Sequence, residues 1–360
     1  MIKVLVVDDS ALVRKLFGSV LAKEPDLQVE FARNGLEALE RLESFSPDVI
    51  TLDVHMPRMG GLECLDRIMV QRPCPVVMVS SLTAEGAGAT LEALRLGAVD
   101  FVPKPEGAVS LRIHEFGPTL VEKVRAAASA KLKASLRLRA RVAHRIGSRV
   151  AAAKAPARAR ADRLSGPGLV VVGTSTGGPP ALEALLQPLP ADFAWPIVIA
   201  QHMPSSFTGP LAKRLNDLCA IRVEEVRQPV ILEAGCAYVG RGDADLIVSR
   251  RAGVLVAMAA PSRANYPWHP STDRLMTSAM EHVNAPQLVG VLMTGMGNDG
   301  AEAMTRLREQ GGRTIAESED TAVVWGMPGE LVRAGGADWV EPLQKIAARL
   351  MELIPHAADT

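Results

Sequence analysis

The segment "LVVVGTSTGG", residues 169–178, decides how the second half of the chain is read. An apolar, β-branched run ends in a tight Gly/Ser/Thr turn. The following "PPALEALLQPL" reads as a helix with Pro179 and Pro180 in its first turn. Such a strand–turn–helix has two common uses. Its backbone N–H groups can cradle an anion at the helix N-terminus. Alternatively, Ser175 of Gly173-Thr174-Ser175-Thr176-Gly177, a literal G-x-S-x-G, can be a nucleophile held out on a sharp elbow. An anion cradle usually brings a Walker lysine, or G-x-G-x-x-G with an acid on the next strand, and neither is present.

A nucleophilic serine needs a base, and the base needs an orienting acid. The second half offers His202, His269, His282 and His356. His202 directly follows the strand "PIVIAQ" and so emerges at a strand's carboxyl end. His269 lies in the Pro-rich "PWHPSTD", His282 in a helical pattern and His356 in the tail. His202 alone shares the position expected of Ser175; its other reading is a capping or buried structural histidine. The segment "QLVGVLMTGMGNDGAEAMTRLRE" reads as strand, glycine-rich turn and helix, with Asp299 in the turn. Asp299 is either the orienting acid or a helix N-cap. The glycines at 295, 297 and 300 permit positive φ and close backbone approach, which is how N–H groups are aimed at an oxyanion. The chain order Ser, His, Asp differs from the Ser, acid, His order of α/β-hydrolases.

At 360 residues the chain is too long for one ordinary core and predicts two domains. Hydrophobic residues make up 48%, and 40 basic residues balance 40 acidic ones. No global charge argument for nucleic acid or a membrane surface is available. Cys64, Cys74, Cys219 and Cys236 form no C-x-x-C pair and read as reduced thiols of a cytoplasmic protein. The opening "MIKVLVVDDS" reads as a strand carrying acids rather than a secretion signal. No apolar run approaches the ~20 residues that span a bilayer.

The first ~120 residues alternate apolar runs ("KVLVV", "LQVEFA", "DVITL", "PVVMVS", "DFVP") with helical patterns. This predicts a parallel sheet covered by helices on both faces, with ligands beyond the carboxyl ends of the strands. A second alternation runs from ~168 to ~355: "LVVVG", "PIVIAQ", "AYVG", "LIVS", "VLVAM", "LVGVLMTG" and "RTIAES". The fold class expected is therefore α/β with two doubly wound parallel-sheet domains, a flavodoxin-like one and then a Rossmann-like one. Boundaries are placed at 1–120, 121–165 and 166–356. The joint carries thirteen Lys/Arg against Glu122 and Asp162, is rich in Ala and lacks aromatics. It reads as a helix extension followed by a solvated linker. Without stacking residues, its charge is not read as a nucleic-acid site.

In the first domain Asp8 and Asp9 follow one strand and Asp53 another. Clustered carboxylates call for a cation, and their oxygens favour Mg²⁺. Ser80 ends "PVVMVS", and Lys104 follows "DFVP", so a hydroxyl and an ammonium share the same sheet edge. His55, near Asp53, reads as a spectator.

With "LDVHMPRMGG", these residues closely resemble the receiver domain of bacterial response regulators over residues 1 to ~120. The resemblance implies that Asp53 accepts a phosphoryl group from a histidine kinase. Asp8 and Asp9 would help bind Mg²⁺, Ser80 would respond to the phosphoryl oxygens and Lys104 would pair with them. Phe101 matches an aromatic position that reorients on activation.

"GTSTGGPPAL", "QHMP", "HPSTD" and "LMTGMGNDGA" resemble the catalytic domain of the chemotaxis receptor-glutamate methylesterases. The order receiver–linker–esterase is that family's as well. The resemblance implies Ser175 as nucleophile, His202 as general base and Asp299 as its orienting acid. The Met296 N–H would be an oxyanion donor, with Thr176 beside the nucleophile. The implied reaction removes methyl groups from γ-glutamyl esters on chemoreceptor helices, with deamidation of receptor glutamines, and uses no metal. The implied partners are methyl-accepting chemoreceptors and a chemotaxis kinase, reached by peripheral association with receptor arrays. One chain holding a phosphorylation switch and a hydrolase implies a receiver that restrains the active site until Asp53 is phosphorylated.

Overall fold

Both sheets are built from apolar runs whose ends hold the polar residues singled out above. The computed structural model describes residues 1–104, 113–130, 164 and 166–354. Two compact units divide between residues 157 and 158. The linker expectation falls largely on residues 131–163 and 165, outside those described; its first residues belong to a helix that ends at Ser129.

The first unit holds β1 (Ile2–Val7), β2 (Leu27–Ala32), β3 (Val49–Asp53), β4 (Val76–Ser80) and β5 (Asp100–Pro103). They form a parallel sheet in the order β2-β1-β3-β4-β5. Helices α1 (Ala11–Leu21), α2 (Gly35–Ser44), α3 (Gly61–Gln71), α4 (Ala84–Leu96) and α5 (Ile113–Ser129) alternate with the strands. Every residue of β3 and β4 is buried, as strands covered on both faces require. Side-chain caps start three of the helices: Ser10 accepts from Val13 N–H, Asn34 from Leu36 and Glu37, and Thr83 from Gly86. The β4–β5 register sets Ser80 opposite Pro103, and β3–β4 sets Asp53 opposite Val79. Asp8, Asp53, Ser80 and Lys104 thereby reach one edge.

The second unit contains β6 (Leu169–Thr174), β7 (Ile197–Gln201), β8 (Arg222–Val226), β9 (Val230–Ile231), β10 (Cys236–Gly240), β11 (Asp245–Arg251), β12 (Val254–Ala260), β13 (Leu288–Leu292), β14 (Arg313–Glu317) and β15 (Trp339–Glu341). Its helices are α6 (Gly178–Leu186), α7 (Ser205–Leu218), α8 (Thr272–His282), α9 (Ala301–Glu309), α10 (Met327–Arg333) and α11 (Leu343–Leu353). Seven strands form a parallel sheet in the order β15-β14-β13-β6-β7-β10-β8. The nucleophile-bearing β6 is the middle strand.

"LIVS" and "VLVAM" depart from the expected parallel alternation. They pair antiparallel, as β11 and β12, in a separate three-stranded sheet with β9. The cause is local. Ala252 and Gly253 take φ of 47° and 85°, and two successive positive φ values make the tight hairpin turn that sends the chain straight back.

Candidate active site and receiver site

β13, β6 and β7 are adjacent, and their registers set Leu292, Gly173 and Ala200 side by side. The residues that follow therefore leave the sheet together. Ser175 N–H donates to Thr294 O at 3.0 Å, and His202 N–H donates to Thr174 O at 3.0 Å. Gln201 Nε2 donates to Ser175 O at 3.0 Å. In this way two backbone bonds and the Gln201 amide fix the positions from which Ser175 and His202 project.

His202 Nε2 lies 2.7 Å from Asp299 Oδ2. Asp299 is buried at 2% exposure and accepts three further bonds. Thr272 N–H gives 2.6 Å, Asp273 N–H 3.0 Å and Ser271 Oγ 2.9 Å. The carboxylate thus sits on the N-terminus of α8, where backbone donors and the helix dipole favour negative charge. Burial pushes Asp299 up, but His202 and the two N–H donors outweigh it and hold the carboxyl below its ordinary range. The alternative reading of Asp299 as the N-cap of the following helix does not hold. Gly300, at φ 89°, occupies that position without a side-chain cap.

His202 Nδ1 is buried and has no hydrogen-bond partner among the described residues. The acid–base link is formed, while the Ser175 hydroxyl is not bonded to the base. Ser175 itself is not strained: the positive φ of the turn, 77°, belongs to Gly177, so the sharp elbow is carried by glycine. Trp268 stacks parallel to His202, with ring centroids 6.0 Å apart and planes 4° apart. A side chain at Gly297 would run into the same indole.

Thr294 ties the two loops together. Its carbonyl accepts from Ser175 N–H and from Thr174 Oγ1 at 2.9 Å. Its hydroxyl donates to Thr176 O at 2.8 Å and accepts from Val324 N–H at 3.1 Å. The fully buried Glu317 accepts from Thr294 N–H at 2.8 Å. Met296 lies two residues on from Thr294, and its N–H makes no hydrogen bond among the described residues. Thr176 is buried beside Ser175. The sequence reading singled out neither Thr294 nor Glu317, nor Trp268.

His269 serves elsewhere: its Nδ1 lies 2.8 Å from Asp245 Oδ1. Asp245 is fully buried, accepts from Ser271 N–H and pairs with Arg274. His282 ends α8, and His356 lies outside the described residues.

Asp273 is pushed up to about 6, first by burial and then by the charges of Asp299 and Glu302. A carboxyl raised on folding stabilises the fold below its ordinary value of 3.8 and loses that contribution as pH rises through about 6. Asp273→Asn keeps an acceptor for Ala303 N–H and is expected to remove this loss. The check is thermal unfolding from pH 4 to pH 8: the variant's melting temperature should gain on wild type as pH rises.

In the first unit one oxygen from each of Asp8, Asp9 and Asp53 lies within 4.8 Å of the others. Asp8 and Asp53 are buried at 1% exposure each; Asp9 is exposed. Lys104 Nζ is 2.7 Å from Asp53 Oδ2 and 3.1 Å from Asp8 Oδ2. Burial and the neighbouring Asp8 push Asp53 up against the pull of Lys104. Burial lowers Lys104, but Asp53 and Asp8 overcome it, so the ammonium is held charged. Ser80 Oγ donates to Gly86 O at 3.1 Å. Phe101 is buried at 3% exposure beneath the Lys123 ammonium, 5.2 Å from its ring centroid. His55 is exposed, and only its backbone N–H reaches Asp53.

Two sites on two parallel sheets are thus defined: a carboxylate cluster with a lysine, and a serine–histidine–aspartate set. Residues 4–114 match the response regulator receiver domain family, and residues 170–350 match the CheB methylesterase family. A protein-glutamate methylesterase/protein-glutamine glutaminase of Rhodopseudomonas palustris is 55% identical, with 98% of each chain covered. Another from Rhodospirillum rubrum is 49% identical, over 100% of this chain and 98% of its own. The crystal structure of the Thermotoga maritima CheB methylesterase catalytic domain is similar at TM-score 0.50 and 34% identity. It covers 52% of this chain and 99% of that one. The chain belongs to the CheB methylesterase family and carries a receiver domain ahead of the catalytic one. No helix among the described residues is long and apolar enough to cross a membrane.

Proposed function

We propose that this protein hydrolyses glutamate γ-methyl esters on chemoreceptors, and deamidates receptor glutamines, under the control of phosphorylation at Asp53. The observation that carries the reading is Asp299, held below its ordinary range, on His202 Nε2 at 2.7 Å, which leaves Nδ1 as the ring nitrogen without a partner among the described residues. Ser175 Oγ attacks the ester carbonyl while His202 Nδ1 takes its proton. Asp299 holds the ring and stabilises the imidazolium. The Met296 N–H donates to the oxyanion, a contact whose loss typically costs ~10²–10³ in rate. Methoxide leaves with the proton from His202, giving methanol and a glutamyl ester of Ser175. Water deprotonated by His202 then releases glutamate and restores the serine. With a glutamine side chain the same steps expel ammonia. No step of this sequence calls on a metal.

In the receiver, Asp8, Asp9 and Asp53 present hard oxygen donors at a spacing suited to Mg²⁺. When bound, the ion supplies positive charge against the phosphoryl oxygens. Asp53 accepts the phosphoryl group from a histidine kinase. Lys104 pairs with its oxygens, and Ser80 turns from Gly86 towards them. Phe101 reports the change by reorienting. The domains are residues 1–120, a 121–165 joint and 166–356. The unphosphorylated receiver restrains the catalytic domain. The protein is cytoplasmic, works at the periphery of receptor arrays and takes no nucleic acid.

The test is methanol release from methylated receptor membranes, with and without a small-molecule phosphodonor and Mg²⁺. Release that the phosphodonor raises is expected; no release under either condition would overturn the esterase reading. Residues 165–360 alone should exceed the unphosphorylated whole. Equal or lower activity would refute restraint by the receiver.

A further inference from the structure

Beyond His202 the carboxyl edge of the large sheet continues for two more strands. β10 ends next to β7, and β8 ends next to β10. The residues that follow them, Arg241 and Arg227, line a cavity of about 300 Å³ with Ser205, Ser206 and Glu225. Neighbouring strands lie about 4.8 Å apart, so Arg241 stands one strand and Arg227 two strands beyond His202, roughly 5 and 10 Å along the edge.

Among the described residues, the two guanidinium groups here keep N–H donors to spare beside the Glu225 carboxylate. Glu225 is occupied at both oxygens, by Thr208 Oγ1 at 2.5 Å and Arg227 Nε at 2.6 Å. Arg227 therefore keeps its two terminal amino groups, and Nη2 lies over Gly209, where a side chain would meet it at 3.0 Å. Arg241 engages Asp243 through Nε and Nη2, which leaves Nη1. Ser206 Oγ is buried without a partner among the described residues. α7 opens at this point with Pro204 in the cap position and no side-chain cap. Spare guanidinium and hydroxyl donors call for an acceptor with charge, and planar guanidinium suits a carboxylate.

We infer that this cavity is a subsite for an acidic side chain of the polypeptide substrate, two or three helical turns from the glutamyl group held at Ser175, since β10 and β8 lie two and three strands from β6. The inference rests on the esterase reading above. The spacing agrees with a helical substrate lying along the sheet edge, since one turn rises about 5.4 Å. It gives the enzyme a means of choosing among esters by the charge of their neighbours. Each hydrolysis also adds a carboxylate to the substrate, so the subsite favours helices already partly demethylated.

The experiment uses the full chain with phosphodonor and Mg²⁺. It follows methanol release from two helical peptides that carry the same γ-methyl glutamate. One has Glu and the other Gln at the positions two and three turns away. Wild type is expected to favour the Glu peptide about tenfold in kcat/KM, through KM, with the preference shrinking as salt is added. Arg227→Gln/Arg241→Gln should bring the ratio to about one. Arg241→Glu should reverse it towards a peptide with Lys at those positions, a change that mere loss of fold would not produce. Equal kcat/KM for the two peptides in wild type would overturn the subsite and leave the esterase standing. So would an undiminished preference in the double variant. No methanol from either peptide would overturn the esterase reading and the subsite with it.

Discussion

Ser175→Ala is expected to lower methanol release by about 10⁴–10⁶, leaving only what the oxyanion donors and substrate binding contribute. The Ser175 hydroxyl is the group assigned to form the acyl intermediate. The backbone that carries it is set by bonds the substitution does not touch: Ser175 N–H to Thr294 O, and Gln201 Nε2 to Ser175 O. Thermal unfolding should therefore match wild type while the rate collapses. Adding His202→Ala to Ser175→Ala should cost little more, because the base has no proton to take once the serine is gone. A variant that kept more than a hundredth of the wild-type rate would show that water, or another side chain, attacks the ester directly.

Asp53→Asn is expected to abolish phosphoryl incorporation and with it every effect of the phosphodonor on methanol release. The amide cannot form an acyl phosphate. It also leaves Lys104, held at 2.7 Å, with Asp8 as its remaining carboxylate partner. Radiolabelled phosphodonor should give one acid-stable, hydroxylamine-labile group per wild-type chain and none in the variant. Basal release should persist. A phosphodonor response surviving in Asp53→Asn would move the acceptor to another residue and remove the role assigned to the cluster.

The parallel sheets were legible because buried parallel strands are nearly continuous apolar runs, and "KVLVV", "DVITL" and "LVVVG" are such runs. β8, "RVEEV", escaped because this edge strand carries Arg222, Glu224 and Glu225 between its two valines and has no continuous apolar run. The antiparallel ribbon escaped for a different reason: nothing in the two apolar runs states their direction, which the Ala252–Gly253 turn decides. Among site residues, Ser175, His202 and Asp53 stood out as polar groups ending apolar strands. Glu317 ends β14 in the same manner, and that signal was available. Its bond to the site is to a backbone N–H, however, and no pattern of side chains betrays such a bond. The support of Asp299 by α8 was hidden likewise, because Thr272 and Asp273 contribute through their backbone N–H groups as well as their types.

The position of the nucleophile on the middle strand of seven has a consequence for how this enzyme fails. Sheets open from their margins, so amide hydrogen exchange should be fastest in β8 and β15 and slowest in β6, β7 and β13. Fraying at either margin leaves the serine, its base and the base's acid in register. Partial opening would then erode the arginine-lined end while hydrolysis of a bound ester went on. On warming, such a protein would become indiscriminate before it became inactive.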